Sequence, residues 1–302
     1  MNKYQHIRTE FYGKPWAILP EKLRQITQLL QFAAEGGKYT DEEIRARIGA
    51  GPRVTPKTPG MVALIPIYGV VSHRMNMMNE ISGGGGTSIE KLTATFRQAL
   101  NDPNVKAIVF DVDSPGGAVD GVPELADEIR AARGQKKIVA VANTMAASAA
   151  YWLASAADEL IVTPSGAVGS IGVWGAHEDY SKALEQEGVK VTLISAGKYK
   201  VEGNPYEPLS EEARASLQAD VDSFYSMFVN AVAKNRKVAQ SAVADGYGQG
   251  RMVMASLALK QGMVDGVATL DETLARFGVA SATKRMSAAV ANDLRERELA
   301  LY

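Results

Sequence analysis

Val105-Lys106-Ala107-Ile108-Val109-Phe110-Asp111-Val112, running directly into Asp113-Ser114-Pro115-Gly116-Gly117, is the stretch on which the fold turns. An apolar run without alternation reads as a strand buried on both faces, and such strands belong to parallel sheets covered by helices. The same pattern repeats outward in both directions. Before it, 61–71 (MVALIPIYGVV) is another apolar run, and Ser88 is placed to N-cap a helix carrying Leu92, Phe96 and Leu100. After it come a helix with Val122, Leu125 and Ile129 on one face and a strand over 137–143 (KIVAVAN). A helix from about Ala147 to Ala157 and a strand over 159–163 (ELIVT) follow. A helix near Tyr180–Gln186 then leads to 189–195 (VKVTLIS), read as a further strand. Ser210, with Glu211 and Glu212 behind it, opens a long helix carrying Leu217, Val221, Phe224, Phe228 and Val232. Strands alternating with helices close by right-handed crossovers. The sequence therefore predicts an α/β fold with a mostly parallel sheet and crossover helices.

The ends read differently. Residues 1–57 are a helical N-terminal arm and linker, 58–277 the main domain, and 278–302 a charged helical tail. In the arm, Leu23, Ile26, Leu29, Leu30 and Ala33 recur at helical spacing, with Phe32 at or beyond the edge of that stripe. Gly36-Gly37 stops this helix, a short charged helix spans about Asp41 to Ile48, and 49–60 carries three prolines and three glycines, as a linker does. The arm is either a small subdomain or a docking helix.

Composition narrows the chemistry. The 302 residues (32.3 kDa) carry 33 basic and 34 acidic side chains, a net charge of −1, which provides no field for nucleic acid or an anionic membrane. There is no cysteine, which removes disulfides, thiolate zinc sites and a Cys nucleophile together. The three histidines, His6, His73 and His177, have no metal-ligand spacing. No signal-peptide h-region opens the sequence, and no apolar run is long enough to span a bilayer. The expectation is a soluble, cytoplasmic protein without cofactor or metal, working through Ser, Lys, Asp, Glu or backbone groups.

Four segments carry candidate chemistry. Pro115-Gly116-Gly117 closes a buried strand, where open α/β sheets bind ligands and where glycines leave backbone N–H groups unpaired for an oxyanion. It also reads as a plain tight turn. Ser148, among Met145-Ala146-Ala147 and Ala149-Ala150-Tyr151-Trp152, lies between strand and helix, where the helix dipole favours a developing anion; the alternative is a simple N-cap. Lys198 and Lys200, in Gly197-Lys198-Tyr199-Lys200, are candidate bases if burial lowers their pKa, and otherwise solvated loop lysines. Gly169-Ser170-Ile171-Gly172-Val173 offers a hydroxyl, Ser170, able to hold a lysine amine, or is a glycine-rich strand end.

In this order the segments resemble the signal peptide peptidase A (protease IV) family of Ser/Lys peptidases. The resemblance runs from about Met61 to Asp271 and rests on 102–117 (DPNVKAIVFDVDSPGG), 146–155 (AASAAYWLAS), 169–173 (GSIGV), 197–200 (GKYK) and 250–267 (GRMVMASLALKQGMVDGV). It implies a Clp/crotonase-like fold and a serine endopeptidase in which Ser148 is the nucleophile and Lys200 the general base. Gly116 or Gly117, with Ala149, becomes the oxyanion hole, and Ser170 the lysine-orienting hydroxyl. Ser148-Ala149-Ala150-Tyr151 stands where relatives commonly have Ser-Gly-Gly-Tyr. A methyl group therefore sits beside the oxyanion site, and the donor itself is kept. The arm and half-length chain look most like the phage head maturation (prohead) branch. That branch implies scaffold, capsid or portal proteins as substrates, a homo-oligomeric ring, and action within the procapsid in the host cytoplasm.

Three rivals compete. A Clp-type Ser-His-Asp peptidase needs a histidine about 25 residues past the nucleophile, and Val168–Val173 has none. A crotonase-type acyl-CoA enzyme uses backbone donors and carboxylates without a Ser/Lys couple. An inactive protease fold serving capsid assembly or scaffolding has no need of the two residues that are present. Met75–Met78 with Gly83–Gly86 reads as a surface loop, or as a lid over the groove.

Overall fold

The computed structural model describes residues 15–34, 61–74 and 86–279. The helix expected at 41–48, the linker, the 75–85 part of the loop and the tail from 280 lie outside these residues.

In chain order the elements are β1 (Trp16–Ile18), α1 (Pro20–Ala34), β2 (Val62–Tyr68), β3 (Val70–Ser72), β4 (Gly86–Ser88), α2 (Ile89–Asn101), β5 (Ala107–Ser114) and β6 (Gly116–Ala118). They continue as α3 (Val122–Ala131), β7 (Lys137–Ala147), α4 (Ala149–Ser155), β8 (Glu159–Val162), β9 (Ala167–Gly169), α5 (Ser181–Gln186) and α6 (Glu211–Arg236). A single π-turn, Ala242–Gly246, precedes β10 (Met252–Met254), α7 (Ala255–Lys260), β11 (Gly266–Val267) and α8 (Leu270–Ala275).

The larger sheet runs β10-β9-β7-β5-β2, with β8 and β11 added beside β7. Its strands pair in parallel except β10, which is antiparallel to β9. Both faces are apolar, as the unbroken run at 105–112 requires. Ile108, Phe110 and Val112 face a core completed by Leu92 of α2, Leu125 of α3, Trp152 of α4 and Phe228 of α6. Ala107 and Val109 face the opposite layer with Leu274 of α8 and Val279.

Two strands break at the same level of the sheet. Gly69, at φ 63°, ends β2 and turns the chain into β3; Pro115 does the same between β5 and β6. β3 and β6 enter a second sheet, ordered β1-β6-β3-β4. The expected single strand at 61–71 is thus two strands in two sheets. β7 also outruns its expected end. Past Asn143-Thr144, Met145–Ala147 pairs with β9 while Val139–Ala142 pairs with β8, so the strand carries the chain four residues further, up to Ser148.

The 189–195 segment is not a strand. Among the described residues it has no ladder partner and no regular structure, and Val189, Val191, Leu193 and Ile194 are exposed, the last at 96%. The apolar run reads as a strand, but a strand also needs an edge to pair with, and among the described residues this segment meets none. The long helix α6 carries both buried residues, Ala213 among them, and exposed ones. Phe228, Val229, Val232 and Ala233 are buried in its second half, whereas Leu217 and Met227 are exposed.

Candidate active site

Ser148 stands where β7 ends and α4 begins. Its backbone, at φ 54° and ψ −120°, lies outside the regions an L residue normally adopts. Such strain persists only where the surroundings hold it. Here the Ser148 N–H donates to the Gly169 carbonyl at 2.7 Å, and its carbonyl accepts from the Trp152 N–H at 2.9 Å. The residue is 1% exposed. Its hydroxyl makes no capping bond to α4 and instead points to the Gly172 carbonyl at 3.4 Å. The simple N-cap reading is therefore absent from the geometry. Ala149, buried, is the first helical residue, a position whose N–H has no acceptor within the helix.

α4 is fixed deeply. Trp152 stacks on Phe228 at 4.5 Å, and the Arg133 guanidinium donates to the carbonyls of Ser155, Ala156 and Asn235, tying α4 to the far end of α6. Asn235 Nδ2 donates in turn to Ser155 Oγ at 3.0 Å.

The Pro-Gly-Gly turn lies against Ser148. A Cβ placed on Gly116, at φ +93°, would fall 2.9 Å from Ser148 Cβ and 2.3 Å from the Ala17 carbonyl oxygen; on Gly117 it would fall 1.7 Å from the Val71 carbonyl oxygen. Both positions exclude any side chain. Ser114 holds the turn: its hydroxyl donates to the Gly69 carbonyl at 2.6 Å and accepts the Gly116 N–H at 3.2 Å. The expectation of unpaired N–H groups on this turn is corrected here. The Gly116 donor points to Ser114, and Gly117 pairs with Ala17 in the ladder between β6 and β1. The arm's strand, unseen in the sequence pattern, takes the edge that the turn was expected to leave open. A three-residue strand gives too short a run for periodicity to reveal.

Ser170, 5% exposed and at φ 51°, follows β9, and its N–H donates to the Arg251 carbonyl at 2.9 Å. It is close in the fold to Ser148 through Gly169. Lys200 is elsewhere. It lies in the turns over 198–203, its side chain is exposed, and no hydrogen bond joins it to Ser148. Lys198 bonds to Glu212 at 2.8 Å and to the Tyr199 hydroxyl at 2.6 Å, and these bonds push its amine above the ordinary lysine range, away from a base. His177 Nε2 lies 3.0 Å from the Asn204 carbonyl, and no hydrogen bond joins it to Ser148.

A buried polar cluster underlies the site. Asp111, 4% exposed, accepts from the Tyr68 hydroxyl and, at 3.1 Å, from Asn143 Nδ2. Burial pushes its carboxyl up despite those two bonds, and Asp113 is likewise raised by burial against the pull of Lys22 on α1. Among the described residues no group of His, Asp or Glu is arranged to hold a metal, and no helix is long and apolar enough to cross a membrane.

Residues 130–283 match peptidase family S49, more than half of the chain. The chain belongs to peptidase family S49. The matched span includes Ser148, Ser170 and Lys200. Capsid assembly protease C of Escherichia phage lambda is 37% identical over 72% of this chain and 50% of its own length. Head-tail preconnector protein GP5 of Enterobacteria phage P21 is 37% identical over 72% of this chain and 42% of its own. Protease 4 of Salmonella typhi is 30% identical over 72% of this chain and 34% of its own. The S49 chain thus spans half the length of these curated relatives or less.

Proposed function

We propose that this S49 chain is a serine endopeptidase acting in phage head maturation, with scaffold, capsid or portal proteins as substrates inside the assembling procapsid. The observation that carries the reading is Ser148: a buried, strained serine at a helix start, not used as a cap, flanked by Gly116 and by the Ala149 N–H. In the reaction, Ser148 Oγ attacks the scissile carbonyl and its proton passes to a lysine amine. The C–N bond then breaks as the lysine returns that proton to the leaving amine, and water repeats the sequence on the ester. In this reading the Ala149 N–H donates to the oxyanion, and Gly117, paired with Ala17 in the present fold, joins it only once that pairing has been released. Ser170 orients the amine.

Lys200 is the base, and it comes from a neighbouring copy. Its exposure in its own chain supports this, as does the apolar surface around it: Val189, Val191, Leu193, Ile194 and Leu217 are exposed on the same projecting part. A contact that joins this part of one copy to the Ser148 region of the next is heterologous, and such a contact makes a ring when its rotation closes.

The test mixes two inactive full-length variants, Ser148→Ala and Lys200→Met, under conditions of subunit exchange. Each alone should be inactive and fail to turn over a peptide substrate. Recovered turnover on mixing establishes the couple between chains. A Lys200→Met protein that cleaves at the wild-type rate removes the lysine from the mechanism, and failure of a fluorophosphonate to label Ser148 in the wild-type assembly removes the serine.

A further inference from the structure

The groove beside Ser148 already holds a peptide, and the peptide is the chain's own. β1 runs antiparallel to β6 in the register Trp16↔Ala118, Ala17↔Gly117, Ile18↔Gly116. On its other edge it meets the segment that follows Ser170. The Trp16 N–H donates to the Trp174 carbonyl at 2.8 Å, the Trp174 N–H returns a bond to the Trp16 carbonyl at 3.0 Å, and Trp174 Nε1 donates to the Ile18 carbonyl at 3.1 Å. The Leu19 N–H closes the seam on the Pro115 carbonyl at 3.0 Å. Both walls of this slot are walls of the candidate active site. Gly116 lines one, and the other continues from Gly172, whose carbonyl faces the Ser148 hydroxyl.

The seat is close to the nucleophile. The Ala17 carbonyl oxygen and Ser148 Cβ lie 2.3 and 2.9 Å from one point, the place where a Gly116 side chain would begin. A strand with both edges satisfied, each residue at most 9% exposed, is how an extended peptide is recognised by addition to a sheet. The side chains alternate, with small Ala17 on one side and bulky Trp16 and Ile18 on the other. Beyond Pro15 the slot opens into a cavity of about 350 Å³ lined by Pro15, Trp174, His177, Leu209, Leu217 and Val221. Among the described residues, the groove thus continues past the segment that fills it.

We infer that this slot is the substrate-strand site of the enzyme and that Trp16–Leu19 occupies it as an internal competitor, to be displaced before a substrate can pair with Gly116–Ala118. The ligand class is an extended apolar peptide with a small residue flanked by bulky ones. α1, directly after β1, reinforces the seat: Leu23 and Ile26 are buried, and Lys22 bears on Asp113 at the end of β5. The inference rests on the peptidase reading for its meaning, but its test needs no turnover.

The probe is a fluorescein-labelled peptide of sequence GKPWAILPEK, corresponding to 13–22, bound to full-length Ser148→Ala protein. The comparison is with Ser148→Ala carrying Ile18→Asp, which charges a buried strand residue in the chain and leaves the peptide unchanged. If β1 fills the slot in nine molecules of ten, freeing it should tighten peptide binding about tenfold by anisotropy. Equal affinity in the two folded proteins, or no binding to either, overturns the inference. Should Ile18→Asp fail to fold, hydrogen exchange on Ser148→Ala decides. Saturating peptide should speed exchange of the Trp16–Leu19 amides, and unchanged protection overturns the inference. Displacement with an inactive wild type would sink the peptidase reading alone. Activity with no displacement would sink only the occupied slot.

Discussion

The two ends of the candidate couple are built in opposite ways. Around Ser148 every side chain from Ala146 to Ala157 is enclosed, the backbone is strained, and glycines at 116 and 117 admit no added carbon. Around Lys200 the chain makes turns, presents Ile194 and Tyr199 to solvent, and pairs with no strand. The contrast runs through a single helix: α6 is packed into the core at Phe228–Ala233 and is partly exposed at Leu217. Strain at a nucleophile can be held only by a rigid frame. The second region keeps its apolar groups on the outside. Under the proposed arrangement between copies, preorganisation belongs to the first region and assembly to the second.

The rigid side should break hardest. Gly117→Ala drives a methyl to within 1.7 Å of the Val71 carbonyl oxygen, a backbone atom that no rotamer change can move aside. Overpacking against backbone should cost about 3 kcal/mol or more and abolish activity in whatever protein still folds. A Gly117→Ala protein that melts and cleaves like wild type would show that the turn is not the tight element described.

Trp152→Ala comes next. The indole is 1% exposed and stacked on Phe228, so its loss opens a cavity between α4 and the packed half of α6. Urea unfolding should register about 3–5 kcal/mol. A cost below 1 kcal/mol would mean that α6 is not anchored through this contact.

A smaller, pH-dependent effect tests the same anchor at its base. Arg236 forks onto both oxygens of Asp265 at 2.7 Å, and Asp265 also accepts the Leu160 N–H at 2.8 Å. Burial alone would raise this carboxyl, but the guanidinium and the backbone bond hold it below the ordinary aspartate range. A depressed acid pKa stabilises the fold above the unfolded value, near 3.9, and that contribution is lost as pH falls through the folded value. Asp265→Asn should cost about 1–3 kcal/mol at pH 7, discounted for the partly exposed carboxylate, and the gap to wild type should close as pH falls through the depressed folded-state value. A gap constant from pH 7 to 2 would assign the effect to shape instead of charge.

How much of this was legible beforehand follows the same divide. The buried sheet wrote itself into the sequence as unbroken apolar runs, and Ser88 and Ser210 cap α2 and α6 as their positions suggested. Ser148, Gly116, Gly117 and Ala149 were placed together because one sheet end collects them. What escaped was non-local. The alternation in 189–195 has the period of a strand, but pairing depends on an edge that no local pattern encodes. β1 is three residues long, below the reach of periodicity, yet it reaches the site through partners a hundred residues away. The polar pair Asn143-Thr144 ended the apolar run and hid the last turn of β7 toward Ser148. Lys200 was found by resemblance, and in its own chain its side chain is exposed.

The smallest expected effect on stability comes from the most exposed apolar group. Ile194 is 96% exposed, so Ile194→Ser removes no contact within the chain and should change the melting of the isolated subunit by less than about 0.5 kcal/mol. Its consequence should appear only with concentration. If the projecting segment packs on a neighbouring copy, burying that side chain adds to association, and truncating it to a hydroxyl should weaken assembly by about 1.5–3 kcal/mol per contact. Sedimentation velocity across a dilution series reads this directly, as a shift of the transition from assembly to subunit toward higher protein concentration, with peptidase activity falling along the same curve. Assembly unchanged at every concentration would separate the exposed segment from the interface, and would leave Lys200 to find Ser148 by another route.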